Sequence, residues 1–313
     1  MTRYRPVRNV FTPDANLETM RLLVCGDLHL KPAAGDYDID AVSPPEDVDA
    51  ALVVGDLTHR AGDADRELAR RFVERLAPDV PVVYVPGNHD PDPMPTEVVA
   101  PVSGATADHL SARPLGDLAV VGWGCERRSL SRPLPQTEFD ALDPRRSPRE
   151  DRRYAADRTA DELLDACHRV VSGSASVREA AASLGIADDE AAAFRRGVET
   201  VEATYEQLAG VLAGRSDVLL ATHLPPFGAS FDRHHAVGTR ETDREGLHTG
   251  SIALALAIRD HDVFAAFSGP SHEFGSDAGK GGDGRPHLLN LGFRGVGVAT
   301  VDPSRGEFAF TRP

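Results

Sequence analysis

Three short apolar runs in the first ninety residues each stop at a glycine that is followed by an acid or an amide. Leu22 to Cys25 leads into Gly26-Asp27-Leu28-His29, and Ala50 to Val54 into Gly55-Asp56. Pro81 to Val85 leads into Pro86-Gly87-Asn88-His89-Asp90. Runs of this length, uninterrupted by polar residues, predict buried strands rather than helices. Between the second and third lies Ala64 to Leu76, with Leu68, Phe72, Val73 and Leu76 at helical spacing. Strand, helix and strand in succession predict an α/β sheet whose strand ends carry the chemistry.

The same grammar continues along the chain. Leu118 to Trp123 predicts a strand, and Asp217 to Ala221 another, which leads into Thr222-His223-Leu224-Pro225-Pro226. Ser251 to Arg259 predicts a helix and Val263 to Phe267 the next strand, with Leu288 to Leu291 and Gly297 to Val301 as a closing pair of strands. The segment between differs in composition. Arg127 to Arg153 is rich in Arg, Pro and Asp and reads as a solvated linker or irregular loop, while Ala160 to Val171 and Ala187 to Leu212 have helical periodicity. Val177 to Val198 superficially suits a helix-turn-helix about Gly185, yet Asp188, Asp189 and Glu190 would face a phosphate backbone. A helical cap over the active site, or a dimer contact, is the preferred reading. The expected organisation is a single domain over 1–313, interrupted by a mainly helical insertion at about 126–215.

Charge disfavours some partners without excluding them. Lysine plus arginine number 34 against 49 acids, a net charge of −15, which disfavours a nucleic-acid or anionic-membrane surface. Lys31 and Lys280 are the two lysines, so 34 − 2 leaves 32 arginines, and this bias with Asp-rich loops reads as adaptation to high salt. No apolar run reaches the ~18 residues of a spanning helix, and the N-terminus lacks the apolar stretch of a secretory signal. A soluble cytoplasmic protein without a membrane partner is expected. Cys25, Cys125 and Cys167 form no CxxC pair, so they read as free thiols rather than a zinc knuckle or disulfide framework.

The strand ends collect Asp27, His29, Asp56, Asn88, His89 and Asp90, and later strands add His223 and His272. Hard oxygen donors mixed with imidazoles suit divalent ions such as manganese, iron, zinc or cobalt, and not a structural zinc. Asp and Asn also favour ordinary strand-end turns, but five such pieces in order, each behind an apolar strand, argue for a site. A carboxylate between two metals would bridge them, and two metals would clamp a phosphate and activate a water.

The order GDLH, GDLTHR, GNHD, THLP, SGPSH resembles the calcineurin-like metallophosphoesterase family over roughly residues 22–125 and 216–301. The resemblance implies a sandwich of two β-sheets flanked by helices with metals at the sheet ends. It also implies one or two divalent ions, manganese first, with iron, zinc, cobalt or nickel as alternatives. Asp27 and His29, joined by His272, would hold the first ion, Asp56 would bridge, and Asn88 and His223 would hold the second. His89 would act as the acid toward the leaving oxygen or stabilise the phosphate, oriented by Asp90. The implied activity is hydrolysis of a phosphomonoester or phosphodiester, on a small molecule, a nucleotide or a nucleic-acid end, by metal-activated water.

One departure matters. The family's Gly-His-x-His is here Gly269-Pro270-Ser271-His272, and proline cannot ligate. The second ion binds weakly through Asp56, Asn88, His223 and water, or His234, His235 or His248 fills the gap, or the protein works with one metal or none. The alternative function is therefore a catalytically impaired member that binds a phosphorylated ligand or partner, with the helical insertion as an interaction or oligomer surface. Arg60 sits where the protein Ser/Thr phosphatase branch has an arginine and reads equally as a phosphate contact or a surface side chain. His248-Thr249-Gly250-Ser251 precedes a predicted helix, where backbone N–H groups suit an anion or an ordinary cap.

Overall fold

The computed structural model describes residues 19–32, 39, 42, 44–124, 138, 157–189, 191–233, 248–269, 272–278 and 286–312. Residues 127–153 apart from Glu138, together with Cys125, His234, His235, Pro270 and Ser271, lie outside the described residues.

The first apolar run forms β1 (Met20–Gly26), and its side chains alternate between two cores. Leu22 and Val24 face one core while Leu23 and Cys25 face the other, which is why the run carries no polar residue. β2 (Ala50–Val54), β3 (Val82–Val85) and β4 (Ala105–Ala107) follow in parallel, with Leu22 opposite Ala50 and Ala51 opposite Val82. On the other side of β1, β11 (Gly295–Asp302) pairs antiparallel, with Met20 opposite Val301, and β12 (Glu307–Thr311) completes the sheet. The order is β12-β11-β1-β2-β3-β4.

A second six-stranded sheet takes β5 (Ser111–Leu115), β6 (Leu118–Trp123), β7 (Val218–Thr222), β8 (Val263–Ser268), β9 (Gly275–Ala278) and β10 (His287–Asn290), in the order β5-β6-β7-β8-β10-β9. Val24, Val54 and Val85 of the first sheet join Val120, Leu219 and Phe267 of the second in one dry core. Helices cover the outer faces. α1 (Asp63–Leu76) lays Phe72, Val73 and Leu76 on the first sheet, and α2 (Met94–Val99) adds Met94 and Val98. α3 (Asp157–Val171), α4 (Val177–Ser183), the first half of α5 (Ala191–Leu212) and α6 (Ile252–Asp260) share a helical core around Leu163, Cys167, Phe194 and Ile252. The second half of α5 places Leu208 and Leu212 on Trp123 and Leu220, so the segment read as an insertion also supplies the cover of the second sheet. The architecture is an α/β sandwich of two mixed sheets flanked by helices.

One reading of the tail needs correction. β10 and β11 are not a pair, because the turn at Gly292 carries the chain from one sheet to the other. Val177 to Val198 resolves into α4, a turn with Gly185 at φ 65°, and the start of α5.

Candidate metal centre

Parallel pairing of β1, β2 and β3 sets their carboxyl ends side by side, and backbone hydrogen bonding continues past them. Asp27 N–H donates to Gly55 O at 3.0 Å, His29 N–H to Asp56 O at 2.9 Å and Gly55 N–H to Val85 O at 2.8 Å. From the second sheet, Gly269 N–H donates to His223 O at 3.2 Å, which joins the ends of β7 and β8. Asp27 (φ 54°), His29 (47°), Asp56 (47°) and His272 (61°) all occupy the left-handed region. Two glycines let the ends close together: a Cβ on Gly55 would overlap the His223 ring, and one on Gly87 would overlap Asp56.

The result is a buried cluster. Asp27, His29, Asp56 and His223 are buried, and Asn88, His89 and His272 are partly so. His29 Nε2 lies 2.9 Å from Asp27 Oδ1 and 3.5 Å from Asp56 Oδ2. His272 Nε2 lies 3.6 Å from Asp27 Oδ2, and His223 Nε2 lies 3.7 Å from Asp56 Oδ1 and 2.8 Å from Asn88 Oδ1. The ligand atoms of Asp27, His29 and His272 fall within 4.8 Å of one another. Both carboxylate oxygens of Asp27 are buried without a hydrogen-bond partner, as is Nδ1 of His223. A buried carboxylate with no donor is costly, and a divalent cation among these oxygen and imidazole donors removes that cost, so the residues fit metal ions. Burial holds the Asp56 carboxyl well above its ordinary pKa although His29 pulls the other way. Burial also holds His223 well below the ordinary imidazole value, which leaves its lone pairs available to a cation.

Asp90 does a different job from the one expected of it. Its carboxylate accepts from Leu57 N–H (3.1 Å), Thr58 N–H (2.9 Å), Thr58 Oγ1 (3.1 Å) and Gly87 N–H (3.0 Å), clamping the β2 and β3 loops together. The His89 ring is instead held through Nδ1, 2.7 Å from the backbone oxygen of His59, while its backbone N–H donates to Asp56 Oδ1 at 2.7 Å. On the other flank, Asn290 donates to Glu273 O and accepts from Ser268 Oγ at 3.1 Å, pinning the loop that carries His272. Phe293 packs on both His29 and His272, with ring centres 5.8 and 5.9 Å away.

Other candidates are elsewhere engaged. His248 is buried and turned to Asp232, Nδ1 to Oδ1 at 2.6 Å, with Phe227 beside its ring. The N-terminus of α6 is filled by Glu138, which accepts from Ser251 Oγ (2.6 Å), Ile252 N–H (2.6 Å) and Ala253 N–H (2.9 Å), so an anion has no vacancy at those groups. Arg60 is exposed. His59, Asn290 and Glu138 were not singled out from sequence. For His59 the signal was present: a histidine falls within three residues of each strand-end acid or amide, at His29, His59 and His89. Among the described residues, no helix is long and apolar enough to cross a membrane.

No curated protein matches the chain. Among solved structures it is similar to a phosphopantetheinyl hydrolase from Mycobacterium tuberculosis, at 14% identity over 88% of this chain and 91% of that one, with a TM-score of 0.48. It is also similar to a dimetal phosphatase from Danio rerio, at 12% identity over 90% of this chain and 92% of that one, with a TM-score of 0.42. The family model of calcineurin-like phosphoesterases matches residues 20–187, more than half of the chain and all three of the first strand-end motifs. The chain belongs to the calcineurin-like phosphoesterase family.

Proposed function

We propose that the protein hydrolyses a phosphomonoester or phosphodiester of a small molecule or nucleotide in the cytoplasm. In this reading Asp27, His29, Asp56, Asn88, His223 and His272 would hold one or two divalent cations, manganese first among them. The observation that carries the reading is the convergence of these side chains around a buried Asp27 carboxylate whose near polar neighbours are the imidazoles of His29 and His272. Divalent cations bound there supply Lewis acidity toward phosphoryl oxygens and lower the pKa of water.

The chain's own groups do the rest. Asp56 turns Oδ2 to His29 and Oδ1 to His223, so it faces both halves of the centre, as a bridging ligand must. A carbonyl oxygen only accepts, so the contact with His59 O places a proton on Nδ1 of His89. Nε2 is then the open nitrogen, and with a second proton on it, in the imidazolium form, the ring would give that proton to the leaving oxygen and return to the neutral Nδ1–H tautomer. The Asp90 clamp keeps this ring over the centre by joining the two loops.

The test is hydrolysis of p-nitrophenyl phosphate and bis-p-nitrophenyl phosphate by metal-free protein given manganese, iron, zinc, cobalt or nickel. Metal-dependent turnover is expected, with His89→Asn slower by about 10²- to 10⁴-fold at unchanged manganese content. Turnover that survives His89→Asn would remove that residue's role, and metal binding without turnover on either ester would remove the enzymatic reading. The second reading, an impaired site that only binds a phosphorylated ligand, rests on proline at position 270. A more than tenfold gain in hydrolysis from Pro270→His would favour it.

A further inference from the structure

His29, His59 and His89 follow three adjacent parallel strands, and the loops that carry them fold toward one another. Each offers a ring nitrogen, and the three atoms lie within 4.8 Å of one another. The ring centres are 5.5 Å apart for His29 and His59, 4.7 Å for His29 and His89, and 5.7 Å for His59 and His89. An imidazole nitrogen sits about 2 Å from zinc, which puts its ring centre about 3 Å from the ion and tetrahedral neighbours about 5 Å apart. The three observed spacings bracket that value. A second observation points the same way: Nδ1 of His59 and Nδ1 of His29 are buried with no hydrogen-bond partner.

We propose that His29, His59 and His89 form a second metal seat, which takes zinc in preference to manganese and whose occupation inhibits the enzyme. Three imidazoles suit a borderline ion and leave a fourth position open, whereas manganese and magnesium favour carboxylate oxygen. The buried carboxylates of Asp27 and Asp56, 2.9 and 3.5 Å from His29, offset the charge that zinc brings.

Inhibition follows from the shared ligands. The Asp27, His29 and His272 group uses the same His29, and His89 cannot deliver a proton while it is a ligand. This inhibitory consequence rests on the hydrolytic reading above; the zinc seat does not.

Zinc and manganese are titrated separately, against a chromophoric chelator, into metal-free wild type, His59→Ala and His59→Gln, with circular dichroism as the check on folding. Both variants are expected to lose about ten- to a hundredfold in zinc affinity, while manganese affinity stays within about twofold. In a His272→Ala background, which weakens the carboxylate-bearing group, adding His59→Ala is expected to remove one bound zinc per chain. Zinc inhibition of manganese-supported hydrolysis, scaled to each variant's own rate, is expected to need at least tenfold more zinc in His59→Gln. Zinc affinity within twofold of wild type in both folded variants overturns the proposal, as does an equal loss of zinc and manganese. A His59-dependent zinc seat in a protein that hydrolyses neither ester would sustain the seat and sink the hydrolytic function.

Discussion

Four side chains of the candidate metal centre, on Asp27, His29, Asp56 and His272, sit where glycine is the comfortable residue. A non-glycine residue in the left-handed region costs on the order of 1–3 kcal/mol. The loops keep that strain because each left-handed step turns a side chain back over the end of its own strand, toward the shared centre. Gly87 shows the reverse logic, since it must be glycine for Asp56 to lie against it. Gly87→Ala is therefore expected to lower stability by about 1–3 kcal/mol in a metal-free melt. It should also weaken manganese binding, because the displaced residue, Asp56, is the carboxylate proposed above to bridge. Wild-type manganese affinity in this variant would contradict the packing argument. At this scale the sequence was highly legible for residue type: Asp27, His29, Asp56, Asn88, His223 and His272 do converge. Hydrogen-bond assignment was not legible, since neither the clamp made by Asp90 nor the carbonyl that holds His89 can be read from spacing.

Among elements, the strands buried on both faces, β1, β2, β3 and β8, were readable because apolar runs have no other use in a chain of this composition. The edge strands β4, β5, β9 and β12 were not: Ser111-Ala112-Arg113-Pro114-Leu115 and Gly275-Ser276-Asp277-Ala278 are partly exposed and lack an apolar run. Helix α6 was read correctly, but its acidic cap comes from Glu138, which no local pattern ties to Ser251. Burial raises Glu138 to about 7 although its hydrogen bonds to Ser251, Ala253 and Ile252 oppose the shift. An acid whose folded pKa lies above its unfolded one binds more protons when folded, so its contribution is full below about 4.5 and declines as pH rises to about 7. Relative to Glu138→Gln, the wild type is expected to lose up to about 3 kcal/mol between pH 4.5 and 7.5, measured by urea unfolding. A flat difference across that range would show that the carboxylate stays ionised at the helix end.

At the scale of the molecule, the sequence motifs marked which strand ends meet but not which strands are neighbours. β10 and β11 look like a hairpin in sequence, yet five residues apart they enter different sheets, because the apolar faces of β8 and β1 each need a partner. Removing residues 295–313 would strip β11 and β12 from the first sheet and bare the β1 edge, where Met20 otherwise pairs with Val301. An exposed edge on a strand this apolar invites association with other chains. The truncated protein is expected in the insoluble fraction; a soluble monomer with a native far-ultraviolet spectrum would refute this. The same pairing has a consequence during synthesis. β1 leaves the ribosome well before its partner β11, by an interval on the order of tens of seconds at ordinary translation rates. For that time the nascent chain carries an apolar strand with one edge open, and the arrival of β11 is what closes it.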